Sequence, residues 1–447
     1  MNNNSPPSLA PIQGQGRIAA LDIIRGVAVL GILLINILWF GLPKPLQSAA
    51  DPTVYGGAEG ANLWVWMINA MWVEGTQRGL FTLLFGAGVI LFTERLESSQ
   101  RPYATDLYFR RYLWLLGFGL VHGFVLLWAG DVLFVYGVLA LFVYAFRRAS
   151  SRTLLFIALG GFALNAAWTQ LDLHHAMKTH DAWQAAVSAQ QAGHTLTSEQ
   201  TEAIERWQAR IKESKPDAKT LQQDIDAHRG SYFAQFAFQA PFRSFFQSLM
   251  IYRAFFDFFS MMLVGMALFK SGLLRTGQPS RIYWRMVLIG YGVGLTVNFF
   301  EVRHVLVNEF SVLSQLQVGV STDVGRLAMT VGHVGVLMLW CNASFLGGLK
   351  RRLAAVGQMA LTSYVSHAIL CAFVFYGIGF GLFGQLQRYQ LYYVVFSIWA
   401  FQLLVSPIWL THYRFGPLEW LWRSLTYGQR QPMRRRGPVG SVVAEST

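Results

Sequence analysis

Long apolar segments separated by polar connections make up most of this 447-residue chain. A helix needs about 20 predominantly apolar residues to cross a bilayer. Segments of that kind lie near residues 18–41, 76–93, 111–129, 131–147, 153–170, 251–270, 283–300, 324–346, 354–376 and 391–411. Residues 61–74 are rich in Trp and Met, which is typical of an interfacial segment. The pattern predicts an all-α, polytopic transmembrane helix bundle of about ten spanning helices.

The composition excludes an ordinary soluble protein. The chain is 53% hydrophobic and only 13% charged, whereas soluble domains carry about 25% charged residues. Its net charge of +13 would suit a nucleic-acid binder, but positive residues also collect in the cytoplasmic loops of membrane proteins. We therefore expect the lipid bilayer, and not nucleic acid, to be its main partner.

The positions of the basic residues orient the bundle. With ten spans, the basic loops fall on one side, which should be cytoplasmic and hold both termini. These loops contain Arg95, Arg101, Arg110 and Arg111, then Arg147, Arg148 and Arg152, then Lys270, Arg275, Arg281 and Arg285, then Lys350, Arg351 and Arg352, and finally Arg434–Arg436.

One long polar insertion interrupts the apolar pattern, at residues 171–250. Its Ala, Gln, Glu and Lys content favours helix, so we predict a mostly helical periplasmic cap, either a solvated spacer or a lid over an outward-facing site. The predicted divisions are a disordered cytoplasmic N-terminus at 1–16, a first transmembrane half of five helices at 17–170, the cap at 171–250, a second half of five helices at 251–413, and a cytoplasmic interfacial helix with a basic tail at 414–447.

Neither a metal site nor a disulfide framework is predicted. His174, His175 and His180 lie in the insertion without an acidic or Cys partner at ligand spacing. The two cysteines, Cys341 and Cys371, lie in apolar segments and are typical of small core residues.

The first apolar segment carries polar groups that a lipid-facing helix would not tolerate. Asp22 and Arg25 are three residues apart, so they share one helical face and are predicted to pair. Asn36 lies eleven residues beyond Arg25, about three turns and roughly 16 Å along the axis. Because charges in hydrocarbon are costly, we expect this polar stripe to face the bundle interior or a watery cavity.

This stretch, Leu21-Asp22-Ile-Ile-Arg25-Gly26, resembles the first helix of the transmembrane acyltransferases, which include heparan-glucosaminide N-acetyltransferase and the acyltransferase-3 proteins. Val356-Gly-Gln-Met-Ala-Leu-Thr-Ser-Tyr364 and the stretch 416–428 resemble the bacterial YeiB-like family, the domain of unknown function 418. Acyltransferase-3 proteins have a histidine where this chain has Asn36. The heparan enzyme has asparagine there and adds a histidine eleven residues later, where this chain has Gln47. The resemblance implies a multi-pass protein of a bacterial inner membrane.

Candidate catalytic residues lie in the outer half of the predicted bundle. His122 and Asp131 belong to a His-Gly-Phe-Val-Leu-Leu-Trp-Ala-Gly-Asp stretch that the YeiB-like family also shows. An imidazole with a carboxylate in reach suits a general base, and Asn36 could donate to a developing oxyanion. We predict that these three residues converge on one outer cavity. The alternative is that His122 and Asp131 are hydrogen-bond partners that hold helices together.

The remaining polar residues have weaker patterns. Glu74 and Arg78 are placed at the outer mouth of the second helix and, with Asp22 and Arg25, are our candidates for substrate or donor binding. Arg253 and Asp257 are spaced as an i,i+4 pair. Two mid-membrane histidines, His333 and His367, are typical of satisfied core residues.

Two functions from different classes remain open at this point. The first, which the resemblance to the transmembrane acyltransferases implies, is an acyltransferase that passes an acyl group from a cytoplasmic thioester, acetyl-CoA or another acyl-CoA, to an acceptor on the outer side. There Arg25 would hold donor phosphates. The second is a transporter or exporter of a small, anionic solute along the polar stripe, although the inverted repeats usual in transporters are not visible. A scaffold without chemistry is a third reading, and homo-oligomerisation is open.

Overall fold

The computed structural model describes residues 19–98, 103–275 and 277–435. The predicted disordered segment 1–16, Arg101 and the end of the basic tail from Arg436 lie outside the described residues. The described part is 79% helical and contains no β-strand, which confirms the all-α class.

Eighteen α-helices follow one another in the described residues. They are α1 (Ala19–Gly41), α2 (Pro45–Ala50), α3 (Gly60–Ile68), α4 (Thr76–Ser98), α5 (Ala104–Phe124), α6 (Leu133–Val143), α7 (Ser151–Gln191), α8 (Ser198–Ser214), α9 (Ala218–Arg229), α10 (Tyr232–Arg253), α11 (Phe255–Lys270), α12 (Ser280–Val307), α13 (Val312–Val318), α14 (Thr322–Asn342), α15 (Gly347–Gln358), α16 (Ala360–Phe375), α17 (Leu391–His412) and α18 (Pro417–Tyr427).

Each of the ten predicted spans contains a helix, but not every helix is long and apolar enough to cross a bilayer by itself. Six helical runs in the described chain qualify: α1, the 39-residue run Gly60–Ser98, α7, α12, α14 and α17. The pair α15 and α16, bent by 83°, makes a seventh if it is one broken span. The helices α6 and α11 have 11 and 16 residues, so the count of ten stays a prediction.

The centre of the bundle is α1, which packs against α4, α15, α16 and α17. It crosses α15 at glycines: a Cβ added to Gly26 would lie 2.1 Å from the carbonyl oxygen of Leu353, and one added to Gly357 would lie 1.9 Å from that of Asp22. The missing side chains let the two backbones touch. Two stretches that carry the family resemblance, 21–26 and 356–364, are therefore packed together.

The insertion is helical, as predicted. Thr197 and Gln200 form a capping box at the start of α8, and the Asp217 side chain caps α9. The insertion docks on the end of the bundle where α1 finishes, because the Lys44 N–H donates to Asp224 at 2.6 Å and Lys215 pairs with Asp51 at 3.4 Å. We call this the cap end of the bundle.

Candidate functional site

A large cavity opens at the other end of the bundle, where α1, α5 and α16 begin and α4 finishes. Its volume is about 900 Å³, within the usual range for small-molecule and cofactor sites. The basic side chains in its wall are Arg25, Arg95, Arg111, Arg414, Arg423 and Arg435, and the acidic ones are Asp22 and Glu419. This cavity, which we call the arginine cavity, is suited to anionic groups such as phosphates.

Asp22 and Arg25 pair in its wall, as the sequence predicts. Arg25 Nη1 lies 3.2 Å from Asp22 Oδ1. Asp22 is buried and Arg25 is half-buried, and both line the cavity. The carboxylate orients the guanidinium, which can present a planar fork of donors to phosphate.

The C-terminal segment closes one wall of the arginine cavity through a contact that the sequence analysis missed. The Glu419 carboxylate accepts hydrogen bonds from the N–H groups of Leu361 at 2.6 Å and Thr362 at 3.0 Å, and from the Thr362 hydroxyl at 2.6 Å. These N–H groups are the unsatisfied donors at the start of α16, so Glu419 caps that helix. Burial raises the pKa of Glu419, and the hydrogen bonds from Thr362 oppose that rise.

Aromatic side chains line the deep part of the arginine cavity. Phe81, Phe85, Tyr112, Tyr136 and Tyr364 belong to its wall. The rings of Phe81 and Tyr364 are stacked with centroids 6.3 Å apart. The cavity thus changes from a basic mouth to an apolar interior, which matches an amphiphile with an anionic head.

His122 and Asp131 form a buried hydrogen-bonded pair behind this aromatic wall. His122 Nδ1 lies 2.8 Å from Asp131 Oδ1, and the residues are 1% and 2% exposed. The carboxylate also accepts the N–H groups of Leu133 and Phe134, at 3.2 and 2.8 Å. An ionised carboxylate can only accept, so this geometry suits a tautomer in which His122 Nδ1–H donates to Asp131 and Nε2 carries the lone pair. That Nε2 atom has no hydrogen-bond partner in the described structure.

Tyr364 is the residue that connects the cavity with this pair, and the sequence analysis did not assign it to the site. Its ring packs edge-on against the His122 ring with centroids 5.0 Å apart while also lining the arginine cavity. Its hydroxyl accepts the Trp128 Nε1–H at 3.2 Å and the Val132 N–H at 3.4 Å. The signal for it was its position at the end of the 356–364 stretch.

Asn36 is half-buried in α1, but no hydrogen bond joins its side chain to His122 or Asp131 in the described part of the chain. Instead α1 approaches the pair through Phe40, whose ring stacks on Trp128 with centroids 3.9 Å apart. The convergence of Asn36 with His122 and Asp131 therefore stays a prediction, whereas the pairing of the latter two is present.

Arg78 belongs to a separate charged network at the cap end. Arg78 Nη2 lies 3.1 Å from Asp257 Oδ2, and Arg326 Nη2 lies 2.6 Å from Asp257 Oδ1. Arg326 also contacts Asp323. Glu74 is exposed immediately before α4. Neither Glu74 nor Arg78 lines the arginine cavity, so of the four predicted donor-binding residues only Asp22 and Arg25 do.

The predicted pair of Arg253 and Asp257 is wrong. Arg253 contacts Asp172 instead, while Asp257 binds Arg78 and Arg326. The helix breaks between them, since α10 ends at Arg253 and α11 begins at Phe255. Residues four apart face each other only within one continuous helix.

The other two membrane histidines have partners. His333 Nδ1 lies 2.7 Å from the Met329 carbonyl oxygen, which satisfies it within its own helix. His367 Nε2 lies 3.1 Å from Gln402 Oε1, although its buried Nδ1 has no partner in the described structure. No group of three or more His, Cys, Asp or Glu residues that could hold a metal ion occurs in the described ranges.

Comparison with known proteins finds similar proteins over nearly the whole chain. Residues 268–429 match the family model described as "Protein of unknown function (DUF418)". The chain is 28% identical to "Uncharacterized protein YxaH" of Bacillus subtilis (strain 168), covering 97% of this chain and 100% of that protein. It is 29% identical to "Uncharacterized protein YeiB" of Escherichia coli (strain K12), covering 96% and 99%. No solved structure matches.

Proposed function

We propose that this chain, which belongs to the YeiB-like DUF418 family, is a membrane acyltransferase that moves an acyl group from an acyl-CoA to an acceptor near the cap end. The YeiB-like resemblance of the 356–364 and 416–428 stretches is confirmed by the matches, whereas the resemblance of 21–26 to the transmembrane acyltransferases stays a prediction. The activity is our proposal, and it rests on the arginine cavity and on the buried histidine pair.

The donor would occupy the arginine cavity. Its nucleotide phosphates would bind among Arg25, Arg111 and Arg423 at the basic mouth, because guanidinium groups bind phosphate in a bidentate way. Its thioester arm would extend along Phe81 and Phe85 towards Tyr364. The mouth would face the cytoplasm of a bacterial inner membrane, where the positive-inside rule places an arginine-rich end.

The chemistry assigned to the pair is general base catalysis. The acceptor's hydroxyl or amine would attack the thioester carbonyl carbon while His122 Nε2 takes its proton. A new C–O or C–N bond forms, the C–S bond breaks, and the proton passes from His122 to the departing thiolate, giving free CoA. Asp131 would hold the imidazole in the required tautomer and stabilise the imidazolium.

One observation carries this proposal: a single side chain, Tyr364, lies both in the wall of the arginine cavity and against the ring of His122. A candidate base whose Nε2 atom has no hydrogen-bond partner in the described structure is therefore separated by one aromatic ring from a site suited to a large anionic amphiphile. Tyr364 would need to change rotamer to let the thioester reach His122.

The decisive experiment uses inverted membrane vesicles that contain the full-length protein, supplied with [³H]acetyl-CoA on the exposed cytoplasmic face. We expect label to enter lipid-extractable or vesicle-enclosed material with the unaltered protein and not with His122→Asn. His333→Asn is the matched control, since His333 is bonded to its own helix. If both variants incorporate as much label as the unaltered protein, His122 has no role in the mechanism. If the unaltered protein itself incorporates no label, the acyltransferase proposal is wrong.

A second candidate, transport of a small anionic solute, is favoured by the charged network of Arg78, Asp257, Arg326 and Asp323. Buried ion pairs in membrane proteins often mark ion or proton pathways. Transport is the better assignment if Asp257→Asn abolishes uptake of a small anion by proteoliposomes and the unaltered protein incorporates no label from acetyl-CoA.

A further inference from the structure

The helix α10 has its polar residues inside and its aromatic residues outside. Gln235, Gln239 and Arg243 recur every four residues, so they lie on one face, and they are 1%, 8% and 1% exposed. The outer surface is aromatic: Phe233, Phe238 and Phe245 are 79%, 42% and 63% exposed. Phe236, which borders the polar face, is 38% exposed. A helix of a solvated cap would have the reverse arrangement.

Lipid is the environment that fits this aromatic surface. α10 packs against α5, α6 and α11, which are helices of the bundle, and the Tyr232 hydroxyl donates to the Val125 carbonyl oxygen at 2.8 Å. Beside that contact, Val121 and Val125 are 50% and 53% exposed. The aromatic face of α10 thus continues the apolar outer surface of α5, although the sequence analysis grouped residues 232–250 with the periplasmic cap.

The inward face of α10 contains hydrogen-bond donors without acceptors. Arg243 Nη1 donates to the Gly123 carbonyl oxygen at 3.2 Å, but its Nε and Nη2 atoms and the Nε2 atom of Gln235 have no partner in the described structure. The groups around this guanidinium include the ring of Phe236 and the phenols of Tyr232 and Tyr376. A buried guanidinium with unmet donors is strongly destabilising unless an anion or other acceptor satisfies it.

We propose that Arg243 and Gln235 bind the anionic headgroup of a lipid, which enters from the bilayer between α10 and α5 and is the acceptor of the acyl group. The position of the guanidinium supports this assignment, because Gly123 directly follows His122 in the chain. A phosphate or carboxylate on Arg243 would place a neighbouring headgroup hydroxyl or amine beside the His122 and Asp131 pair. The acceptor role rests on the proposed function, whereas the lipid site does not.

Lipid retention tests the site directly. The full-length protein is purified in detergent, incubated with dioleoylphosphatidylglycerol or dioleoylphosphatidylcholine, and examined by native mass spectrometry. We expect the unaltered protein to retain phosphatidylglycerol at least tenfold better than phosphatidylcholine, and Arg243→Gln to lose that preference. Arg253→Gln is the matched control, because Arg253 belongs to the same helix but contacts Asp172. This variant should keep the preference for phosphatidylglycerol.

Every outcome decides the proposal. Equal retention of the two lipids by the unaltered protein overturns it, even if Arg243→Gln does not fold, and so does an unchanged preference in that variant. Displacement of phosphatidylglycerol by millimolar inorganic phosphate assigns the site to a soluble anion and overturns the lipid. Retention requires no acyl donor, so an inactive protein that still selects phosphatidylglycerol overturns the acyltransferase proposal but not the lipid site.

Discussion

Gly26 of α1 and Gly357 of α15 lie directly against each other, so that a Cβ added to Gly357 would come within 2.8 Å of the Gly26 backbone nitrogen. This contact brings the bend between α15 and α16 against Asp22. The first turns of α16, directly after the bend, contain Tyr364 and the N–H groups that Glu419 caps. The floor of the arginine cavity therefore depends on two residues without side chains.

Substituting Gly357→Ala should destabilise the protein by about 1–3 kcal/mol, the range for overpacking a tight contact. The new methyl group would lie 1.9 Å from the Asp22 carbonyl oxygen, and the helices must separate to admit it. Thermal unfolding followed by tryptophan fluorescence measures the effect. In the control Gly292→Ala the new methyl group meets no atom within 4 Å, so a comparable loss there would show that the glycine contact is not the cause.

Removing the charge of Asp131 should slow acyl transfer without unfolding the protein. Asp131→Asn keeps one oxygen, which can accept the N–H group of either Leu133 or Phe134, because these now bond to Oδ1 and Oδ2 respectively. It no longer stabilises the imidazolium of His122. General acid–base catalysis contributes about 10²–10⁴-fold in rate, so we expect a loss of that order in the vesicle assay. An unchanged rate in a folded variant would mean that the pair only joins helices.

Arg25 can be tested for a structural and a binding role in one comparison. If Arg25 serves only to neutralise Asp22, Arg25→Ala should be less stable than the double variant Asp22→Ala, Arg25→Ala, because the single change keeps a buried carboxylate and removes the arginine that pairs with it. If Arg25 also binds the donor, the affinity of both variants for acetyl-CoA, measured by calorimetry, should be at least tenfold weaker than that of the unaltered protein. Full recovery of binding in the double variant would contradict the donor role.

The arginine distribution predicts the orientation of the bundle in the membrane, and this prediction is testable in cells. We expect an alkaline phosphatase fusion after residue 210, in α8 of the insertion, to be active outside the cytoplasm. A green fluorescent protein fused to the C-terminus should fluoresce inside. A cytoplasmic signal at residue 210 would invert the bundle and place the arginine cavity on the outer face, where acyl-CoA is absent.

Local sequence determined the helical class, the membrane setting and the individual polar positions of this protein. Apolar runs of helical length predict helices because backbone groups in hydrocarbon must bond within their own segment, and the spacing of Asp22 and Arg25 predicts their contact because one helix turn brings them together. The stretches 21–26, 356–364 and 416–428 showed resemblances to known families for the same reason, because each is a short-range pattern.

Only the tertiary structure decided which polar groups meet. His122 and Asp131 are joined because the chain turns between α5 and α6. Asp257 pairs with Arg78 and Arg326, 179 and 69 residues away, rather than with Arg253, because the helix breaks at residue 254. The sequence likewise did not show which face of α10 is buried. A helix with polar residues inside and aromatic residues outside has the same periodicity as a helix with aromatic residues inside and polar residues outside. Periodicity shows that two faces differ, but packing decides which of them is buried.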